Sequence, residues 1–199
     1  MVTTNGRMAV PRIGVLALQG DFHKHMRAFE AAGALTREVR TAEELRGLAG
    51  LVIPGGESTT LTLLLLPELR EPLVEFCKTH PVWGTCAGMI MLSQDASDPR
   101  VKPLGFMDLE ILRNDYGRQV FSFEADLRLS PELEDPEVPM RGIFIRSPRI
   151  ARMGKDVQPL VWLGDAPVAV RQGNFMATSF HPELTDDLRL QRYFLKMTS

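Results

Sequence analysis

The chain has 199 residues, of which 44% are hydrophobic and 24% are charged, and its formal net charge is -2. This length suits one ordinary domain with a full hydrophobic core, and the composition is that of a soluble globular protein. The near-neutral charge gives no reason to expect nucleic acid as a partner, because nucleic-acid-binding proteins usually present a basic face.

Membrane attachment and secretion are not expected either. The longest uncharged apolar stretch, residues 61–67, is too short to cross a bilayer, and residues 1–12 contain no apolar signal segment. Only two cysteines are present, Cys77 and Cys86, and a chain of this size needs no disulfide. We therefore expect a soluble, cytoplasmic protein.

Strand-like and helical segments alternate in the first half of the chain. Strands are predicted at 13–18, 35–39, 51–53 and 81–84, and helices at 22–32, 59–66, 69–78 and 87–94. Asp21 is placed to cap the first helix, and Gly33 is placed to end it in a left-handed conformation. This alternation is typical of an α/β fold with a parallel sheet.

The second half of the chain has a different pattern. Residues 121–129 alternate apolar and polar side chains, and the segments 142–145, 157–163, 168–171 and 175–178 are also strand-like. Gln172-Gly173-Asn174 predicts a hairpin turn, and a last helix is predicted at 186–197. We expect a loose leader over 1–12 and a single domain over 13–199. Its fold class is α/β, with a mixed, mostly parallel central sheet flanked by helices and a small antiparallel extension.

Cys86 is the centre of a G-x-C-x-G segment between a predicted strand and a predicted helix. This pattern is typical of a nucleophile elbow, in which flanking glycines permit a sharp turn that projects the central side chain. A helix N-terminus favours the thiolate form of a cysteine, and the amide of Ala87 is well placed to bind an oxyanion. The alternative is a buried structural cysteine, which is the interpretation we favour for Cys77 inside a predicted helix.

A cysteine nucleophile needs a base, and His181 is the best placed of the four histidines. It follows a predicted strand, and sites in open α/β sheets form beyond the carboxyl ends of the strands. Glu183 is then positioned to hold the other nitrogen of the imidazole. The alternative is a chance His-Pro-Glu loop. His23, His25 and His80 are predicted to be solvated surface residues.

Residues 53–58 combine a strand end, a glycine turn and the start of a helix. Backbone amides in such a turn can approach a ligand closely, and the amide of Gly56 fits an oxyanion hole beside the elbow. A phosphate loop is the other interpretation, but the spacing is not that of a Walker A loop and no lysine follows. The alternative for Ser58 is a helix cap. Cys77 and His80 have a zinc-like spacing without a second ligand pair, so neither a metal nor a cofactor is expected.

Together these motifs resemble the class I, triad-type glutamine amidotransferases, and more closely the glutaminase subunit of pyridoxal 5′-phosphate synthase. The resemblance runs from about residue 13 to the end of the chain. RQV-SFEAD and FIRSP are its most discriminating parts. The segments that carry it are LQG at 18–20, PGGESTT at 54–60, GTCAG at 84–88, RNDYGRQV at 113–120, SFEAD at 122–126, GIFIRSP at 142–148 and SFHPELT at 179–185.

The resemblance implies a flavodoxin-like fold of the class I glutamine amidotransferases and a glutaminase reaction. Cys86 would attack the side-chain amide of L-glutamine, His181 would shuttle the proton, and Glu183 would orient His181. Ammonia would pass to a separate pyridoxal 5′-phosphate synthase subunit within a large hetero-oligomer. The implied glutamine contacts are Gly56, Glu57, Ser58, Arg113, Ile145 and Arg146, and the implied oxyanion hole is formed by Gly56 and Ala87.

Three other functions stay open at this point. The chain could feed ammonia to a different synthase, such as the one in histidine biosynthesis. It could be a γ-glutamyl hydrolase of the same fold that is fully active alone and acts on longer substrates. It could also be a non-enzymatic binding module, although the Cys–His–Glu set argues against that function.

Overall fold

The structure is a computed structural model that describes residues 10–113 and 122–199. Most of the predicted leader and most of the RNDYGRQV segment at 113–120 lie outside the described residues. The first residue of the strand predicted at 121–129 also lies outside them.

Strands and helices alternate along the described residues. The strands are β1 (Arg12–Leu16), β2 (Leu35–Val39), β3 (Gly50–Ile53), β4 (Val82–Thr85), β5 (Ser93–Asp95), β6 (Met107–Leu112), β7 (Ser122–Leu129), β8 (Met140–Ile145), β9 (Arg149–Met153), β10 (Gln158–Leu163), β11 (Ala166–Gln172) and β12 (Phe175–Thr178). The helices are α1 (Phe22–Ala31), α2 (Ser58–Leu64), α3 (Pro67–Cys77), α4 (Ala87–Leu92) and α5 (Arg189–Met197), with short 3₁₀ turns at Ala42–Leu45 and Pro182–Leu184. None of these helices is long and apolar enough to cross a membrane.

A large sheet runs through the described part of the chain in the order β2-β1-β3-β4-β12-β11-β10-β7-β8. Its first five strands, β2 to β12 in this order, are parallel to one another. β3 and β4 are short and wholly buried, as strands of a parallel sheet covered on both faces should be. The carboxyl ends of these parallel strands meet at one edge, which is where ligand sites form in open α/β sheets.

The antiparallel strands continue this same sheet. β11 and β12 form a hairpin through the turn predicted at Gln172-Gly173-Asn174, where Gly173 has a φ of 57°. β10, β7 and β8 follow, each antiparallel to its neighbour. The predicted α/β fold class, with a mixed sheet flanked by helices, is confirmed.

Two apolar layers cover the faces of the sheet. In β3, Leu51 belongs to one layer and Val52 to the other, as the two-residue period of a strand requires. Residues of α2, α3 and α4 fill the first layer, and residues of α1 and α5 fill the second. In the second layer the rings of Phe29, Trp83 and Phe194 have centroids 5.7 to 5.9 Å apart. Burial of each such ring contributes about 1.5–3 kcal/mol to folding.

A second sheet, formed by β5, β6 and β9, is absent from the prediction. β6 alternates buried and half-buried residues, so its sequence MDLEIL does carry a strand pattern. β9 has the sequence RIARM and no fully buried residue, and β5 has only three residues. Pairing with β6 from a distant part of the chain therefore makes β9 a strand, which a local pattern does not reveal.

Candidate active site

Cys86 joins β4 to α4 with backbone angles of φ 49° and ψ -104°. A left-handed conformation is strained for a residue other than glycine, and in a strand–turn–helix unit it is typical of a nucleophile elbow. The backbone N–H of Cys86 donates to the carbonyl oxygen of Thr178 at 2.8 Å, which holds the elbow against β12. Cys86 is 6% exposed and lines a pocket at the carboxyl edge of the sheet.

Close backbone contacts require the two glycines beside Cys86. A Cβ on Gly84 would lie 2.3 Å from the carbonyl oxygen of Gly88, and a Cβ on Gly88 would lie 1.9 Å from that of Ile53. Both distances are far inside van der Waals contact, so a larger residue would force the backbone segments apart. The G-x-C-x-G pattern therefore reflects the packing of the elbow against β3.

The parallel pairing of β4 with β12 brings His181 to the elbow. Thr85 and Thr178 are register partners, so the chain leaves both strands at the same edge of the sheet. The backbone N–H of His181 donates to the carbonyl oxygen of Ile143 in β8 at 2.9 Å, which fixes the loop. The side chains of His181 and Cys86 line the same pocket.

Glu183 holds the other side of the imidazole from the 3₁₀ turn. The Nδ1 atom of His181 lies 2.7 Å from Oε1 of Glu183, whose side chain is 2% exposed. Burial lowers the pKa of His181, but the hydrogen bonds and charges of Cys86 and Glu183 outweigh burial and raise the pKa to about 10. His181 is therefore an imidazolium at neutral pH and can donate a proton within the pocket.

One pocket collects the predicted substrate contacts, which come from distant parts of the chain. All six of them line it, together with Cys86, Ile90 and His181. The six residues are Gly56, Glu57, Ser58, Arg113, Ile145 and Arg146. The structure thus places the predicted nucleophile, its base and the predicted contacts around the same space.

Opposite charges face each other in this pocket. The Nη2 atom of Arg113 donates to Oε1 of Glu57 at 2.5 Å, and Nη1 of Arg113 pairs with Asp98. Hydrogen bonds from Arg100 hold the pKa of Asp98 well below its usual value, so this carboxylate stays ionised. Asp98 is not among the predicted site residues, because its loop sequence carries no recognisable motif. It fixes the guanidinium of Arg113 beside Glu57.

Two further lining residues have unusual local features. Ser58 is the first residue of α2, not its cap, and its Oγ is buried without a hydrogen bond to any described residue. Arg146 has a φ of 45°, a conformation that costs about 1–3 kcal/mol in a residue other than glycine. An unpaired buried hydroxyl and a strained backbone in one pocket are typical of a ligand site.

The glycine turn after β3 packs directly against the elbow. A Cβ on Gly55 would lie 3.2 Å from the Cβ of Cys86 and 2.6 Å from Cε1 of His181. Gly56 follows with a φ of 142°, in the range that favours glycine. Ala87 is the first residue of α4, so its N–H has no partner within the helix. The two amides predicted for the oxyanion hole therefore belong to segments next to Cys86, and their role stays a prediction.

The prediction that His25 is a solvated surface residue is wrong. His25 is fully buried in α1, and its Nε2 atom lies 3.4 Å from Oε2 of Glu183. Ala28 and Phe29 are buried on the same helix. The i, i+3, i+4 spacing of these three residues places His25 on the inner face, and this spacing was a signal available in the sequence.

The other histidines and the second cysteine do not line the pocket. His23 is exposed as predicted, with 66% of its side chain accessible. His80 is only half-buried, and its ring stacks on that of Phe76 with centroids 4.1 Å apart. Cys77 is buried in the core as predicted, and burial raises the pKa of its thiol to about 12, which leaves it protonated and inert.

Comparison with solved structures defines the class of protein. One described as a glutamine amidotransferase has a TM-score of 0.87 and 43% identity, covering 94% of this chain and 98% of that chain. PurLQS from Thermotoga maritima has a TM-score of 0.70 at 16% identity, covering 96% of this chain and 100% of that chain, which shows a shared fold alone. The fold is therefore that of the class I glutamine amidotransferases.

The chain belongs to the SNO glutamine amidotransferase family, which it matches over residues 15–199. It is 51% identical over 194 residues to the pyridoxal 5′-phosphate synthase subunit PdxT of Kineococcus radiotolerans, covering 93% of each chain. It is 48% identical to the protein of the same name from Moorella thermoacetica, covering 94% of this chain and 98% of that one. The family predicted from the sequence motifs is confirmed.

Proposed function

We propose that this protein hydrolyses L-glutamine to L-glutamate and ammonia and supplies the ammonia to a pyridoxal 5′-phosphate synthase subunit. The observation that carries the proposal is the meeting of Cys86, His181 and Glu183 at a pocket lined by all six predicted glutamine contacts. Membership of a glutamine amidotransferase family supports the reaction. The names of the relatives support the partner.

The first half of the reaction releases ammonia. The thiolate of Cys86 attacks the side-chain amide carbon of glutamine, and the carbonyl oxygen becomes an oxyanion. We assign the amides of Gly56 and Ala87 as its donors. The imidazolium of His181 gives its proton to the amide nitrogen, so that the C–N bond breaks and ammonia leaves. Cys86 then carries a γ-glutamyl thioester, and His181 is neutral.

The second half of the reaction releases glutamate. Neutral His181 takes a proton from water as the water oxygen attacks the thioester carbon. The C–S bond breaks, glutamate leaves, and the thiolate of Cys86 is restored beside an imidazolium. Glu183 stays ionised throughout, because its role is to orient His181 and to stabilise the imidazolium.

Charge complementarity orients the substrate. Free glutamine carries an α-carboxylate and an α-ammonium group, and Arg113 and Glu57 carry the opposite charges. We assign the carboxylate to Arg113 and the ammonium to Glu57, which already pair with each other in the pocket. The unpaired hydroxyl of Ser58 offers a further hydrogen bond.

Arg113→Ala is expected to raise the KM for glutamine about 10- to 100-fold, because a hydrogen bond to a charged group contributes about 1.5–3 kcal/mol. The value of kcat should fall less, since Arg113 does not touch the reacting amide in this assignment. The measurement is glutamate formation over a range of glutamine concentrations. Arg141→Ala is the matched control, because Arg141 pairs with Glu124 and Asp126 on the exposed surface. Equal KM values in the two variants would contradict the assignment.

Delivery of the ammonia calls for a docked partner. Free ammonia is protonated in water to ammonium, which is not a nucleophile, so direct transfer preserves its reactivity. We propose that the partner is the pyridoxal 5′-phosphate synthase subunit and that the two proteins form a large hetero-oligomer. The relatives are themselves named as subunits of pyridoxal 5′-phosphate synthase, which supports this choice.

Mixing the protein with purified synthase subunits tests the choice of partner. Glutamine-dependent formation of pyridoxal 5′-phosphate is expected with the pyridoxal phosphate synthase subunit, together with faster glutamine hydrolysis. The synthase of histidine biosynthesis serves as the control and should form no product. Product with that control would identify a different partner. Full activity alone on γ-glutamyl peptides would instead identify a γ-glutamyl hydrolase.

A further inference from the structure

His25 is a buried polar residue that the reaction described above does not use. It is 0% exposed, and its Nε2 atom lies 3.1 Å from Oγ1 of Thr85 and 3.4 Å from Oε2 of Glu183. Thr85 immediately precedes Cys86 in the chain. The imidazole of His25 therefore bridges the strand that carries the nucleophile and the turn that carries Glu183.

The two carboxylate oxygens of Glu183 have different surroundings. Oε1 is 2.7 Å from Nδ1 of His181. Oε2 is buried and has no hydrogen bond with the described residues, and Nε2 of His25 lies 3.4 Å from it. A buried carboxylate oxygen without a donor is strongly disfavoured, so the N–H of His25 is the group that can satisfy it.

The surroundings of His25 also decide which ring nitrogen carries its proton. A carboxylate oxygen only accepts, so Nε2 must donate in order to bind Glu183. Nδ1 is buried without a partner among the described residues, and a buried unpaired acceptor is tolerated better than a buried unpaired N–H. Burial lowers the pKa of His25, and this effect is larger than the opposing effect of the negative charge of Glu183. The ring therefore stays neutral. These facts agree on a neutral ring protonated at Nε2.

We infer that His25 is a positioning residue of the catalytic set, whose Nε2–H holds Oε2 of Glu183 so that Oε1 stays directed at His181. The inference rests on the proposed glutaminase function. A carboxylate held at both oxygens cannot rotate away from the imidazole, and His181 therefore keeps its orientation toward Cys86. The charged groups that act on His25 are Glu183, His181 and Asp21.

Three substitutions of His25 distinguish a role as hydrogen-bond donor from a role in packing alone. In His25→Gln the side-chain amide nitrogen reaches the place of Nε2, whereas in His25→Leu a side chain of similar size carries no donor. His25→Asn places its amide near the position of Nδ1, so it remains a polar variant without the donor if His25→Leu does not fold. His23→Gln is the matched control, because His23 is an exposed residue of the same helix.

Glutamine hydrolysis is measured with each variant in the presence of the synthase subunit. His25→Leu and His25→Asn are expected to lose about 10- to 100-fold in kcat, with the KM for glutamine unchanged within about twofold. His25→Gln is expected to recover most of the kcat, and His23→Gln to match the wild type. A purely structural role for His25 predicts that Gln, Asn and Leu are equally impaired, and that result would overturn the inference.

A second measurement does not depend on glutamine turnover. The imidazole of His181 is followed by NMR in histidine-labelled protein and is assigned by its loss in His181→Asn. In the wild type the imidazolium is present at low pH and is lost as the pH rises through about 10. In His25→Leu and His25→Asn the midpoint of this titration should fall by about one pH unit, which is a tenfold lower affinity of His181 for its proton. His25→Gln should restore the wild-type midpoint. An unchanged midpoint in both variants would overturn the inference.

The two measurements distinguish failure of the inference from failure of the proposed function. Wild-type protein that shows no glutamine hydrolysis, but whose His181 midpoint falls in His25→Asn, would refute the glutaminase while His25 still holds Glu183. If the wild type hydrolyses glutamine and His25→Asn has the same kcat, the inference on His25 is refuted, whereas the proposed glutaminase function is supported.

Discussion

Cys86→Ala is expected to lose glutamine hydrolysis almost completely, by about 10⁴-fold or more in kcat. Without the thiol no γ-glutamyl thioester forms, and the oxyanion donors and substrate binding alone leave only residual catalysis over water. The substitution removes one sulfur atom from a residue that is 6% exposed, so the rest of the pocket stays in place. Glutamine should therefore still bind, as measured by calorimetry, while glutamate formation disappears.

Cys77→Ala is the matched control for this prediction. It also removes one thiol, but from the buried side of α3, where the residue does not line the pocket. Glutamine hydrolysis should stay close to the wild-type rate, with a loss of about 1 kcal/mol in the free energy of unfolding. Unimpaired glutamine hydrolysis in Cys86→Ala, or an equal loss of hydrolysis in Cys77→Ala, would contradict the assignment of Cys86 as the nucleophile.

His181→Asn should lower kcat by about 10³-fold while glutamine still binds. The amide of asparagine can replace Nδ1–H and keep the 2.7 Å bond to Glu183, but it cannot carry a proton between the leaving nitrogen and water. The thiolate of Cys86 also loses the neighbouring cation that stabilises it. Alkylation of Cys86 by iodoacetamide at neutral pH should therefore slow, along with hydrolysis.

His80→Asn is the control for the histidine substitution. His80 precedes β4, whereas Cys86 follows it, so the two lie at opposite ends of that strand. The rate of hydrolysis and the rate of alkylation should both match the wild type. If His181→Asn also matched the wild type in both measurements, another group would have to act as the base.

Local sequence patterns predict the parallel half of the fold well. β2 (Leu35–Val39) and β12 (Phe175–Thr178) have the predicted bounds, and α1 ends one residue before the predicted end, with Gly33 left-handed at a φ of 95°. Most of these parallel strands are short, apolar and bounded by glycine or proline. A few consecutive residues therefore predict both that the strand is buried and where it begins and ends.

The rest of the fold depends on contacts between distant segments. β9 becomes a strand because Leu109 and neighbouring residues of β6 pair with it, although its own residues are largely exposed. α5 begins three residues later than the predicted helix, because the carboxylate of Asp187 binds the backbone N–H and the guanidinium of Arg189 and turns the chain there. Neither effect has a periodic signature in the sequence.

The residues of the candidate site also differ in how far local sequence patterns predict them. Cys86 could be predicted from residue chemistry, since a sharp elbow requires glycines that are visible in the sequence. Arg113 and Arg146 could be predicted only through the family resemblance, because most arginines are simply surface charges. Asp98 was missed for lack of any motif. The burial of His25 has a sequence signal, because its spacing relative to the apolar residues of α1 places it on the inner face of the helix.

The most direct test of the account follows the amide nitrogen of glutamine into the product. Glutamine labelled with nitrogen-15 in its side-chain amide is given to this protein and the pyridoxal 5′-phosphate synthase subunit in the presence of unlabelled ammonium. We predict that wild-type protein yields pyridoxal 5′-phosphate carrying the label, and that Cys86→Ala yields only unlabelled product from the ammonium. Labelled product formed by Cys86→Ala at the wild-type rate would contradict the account.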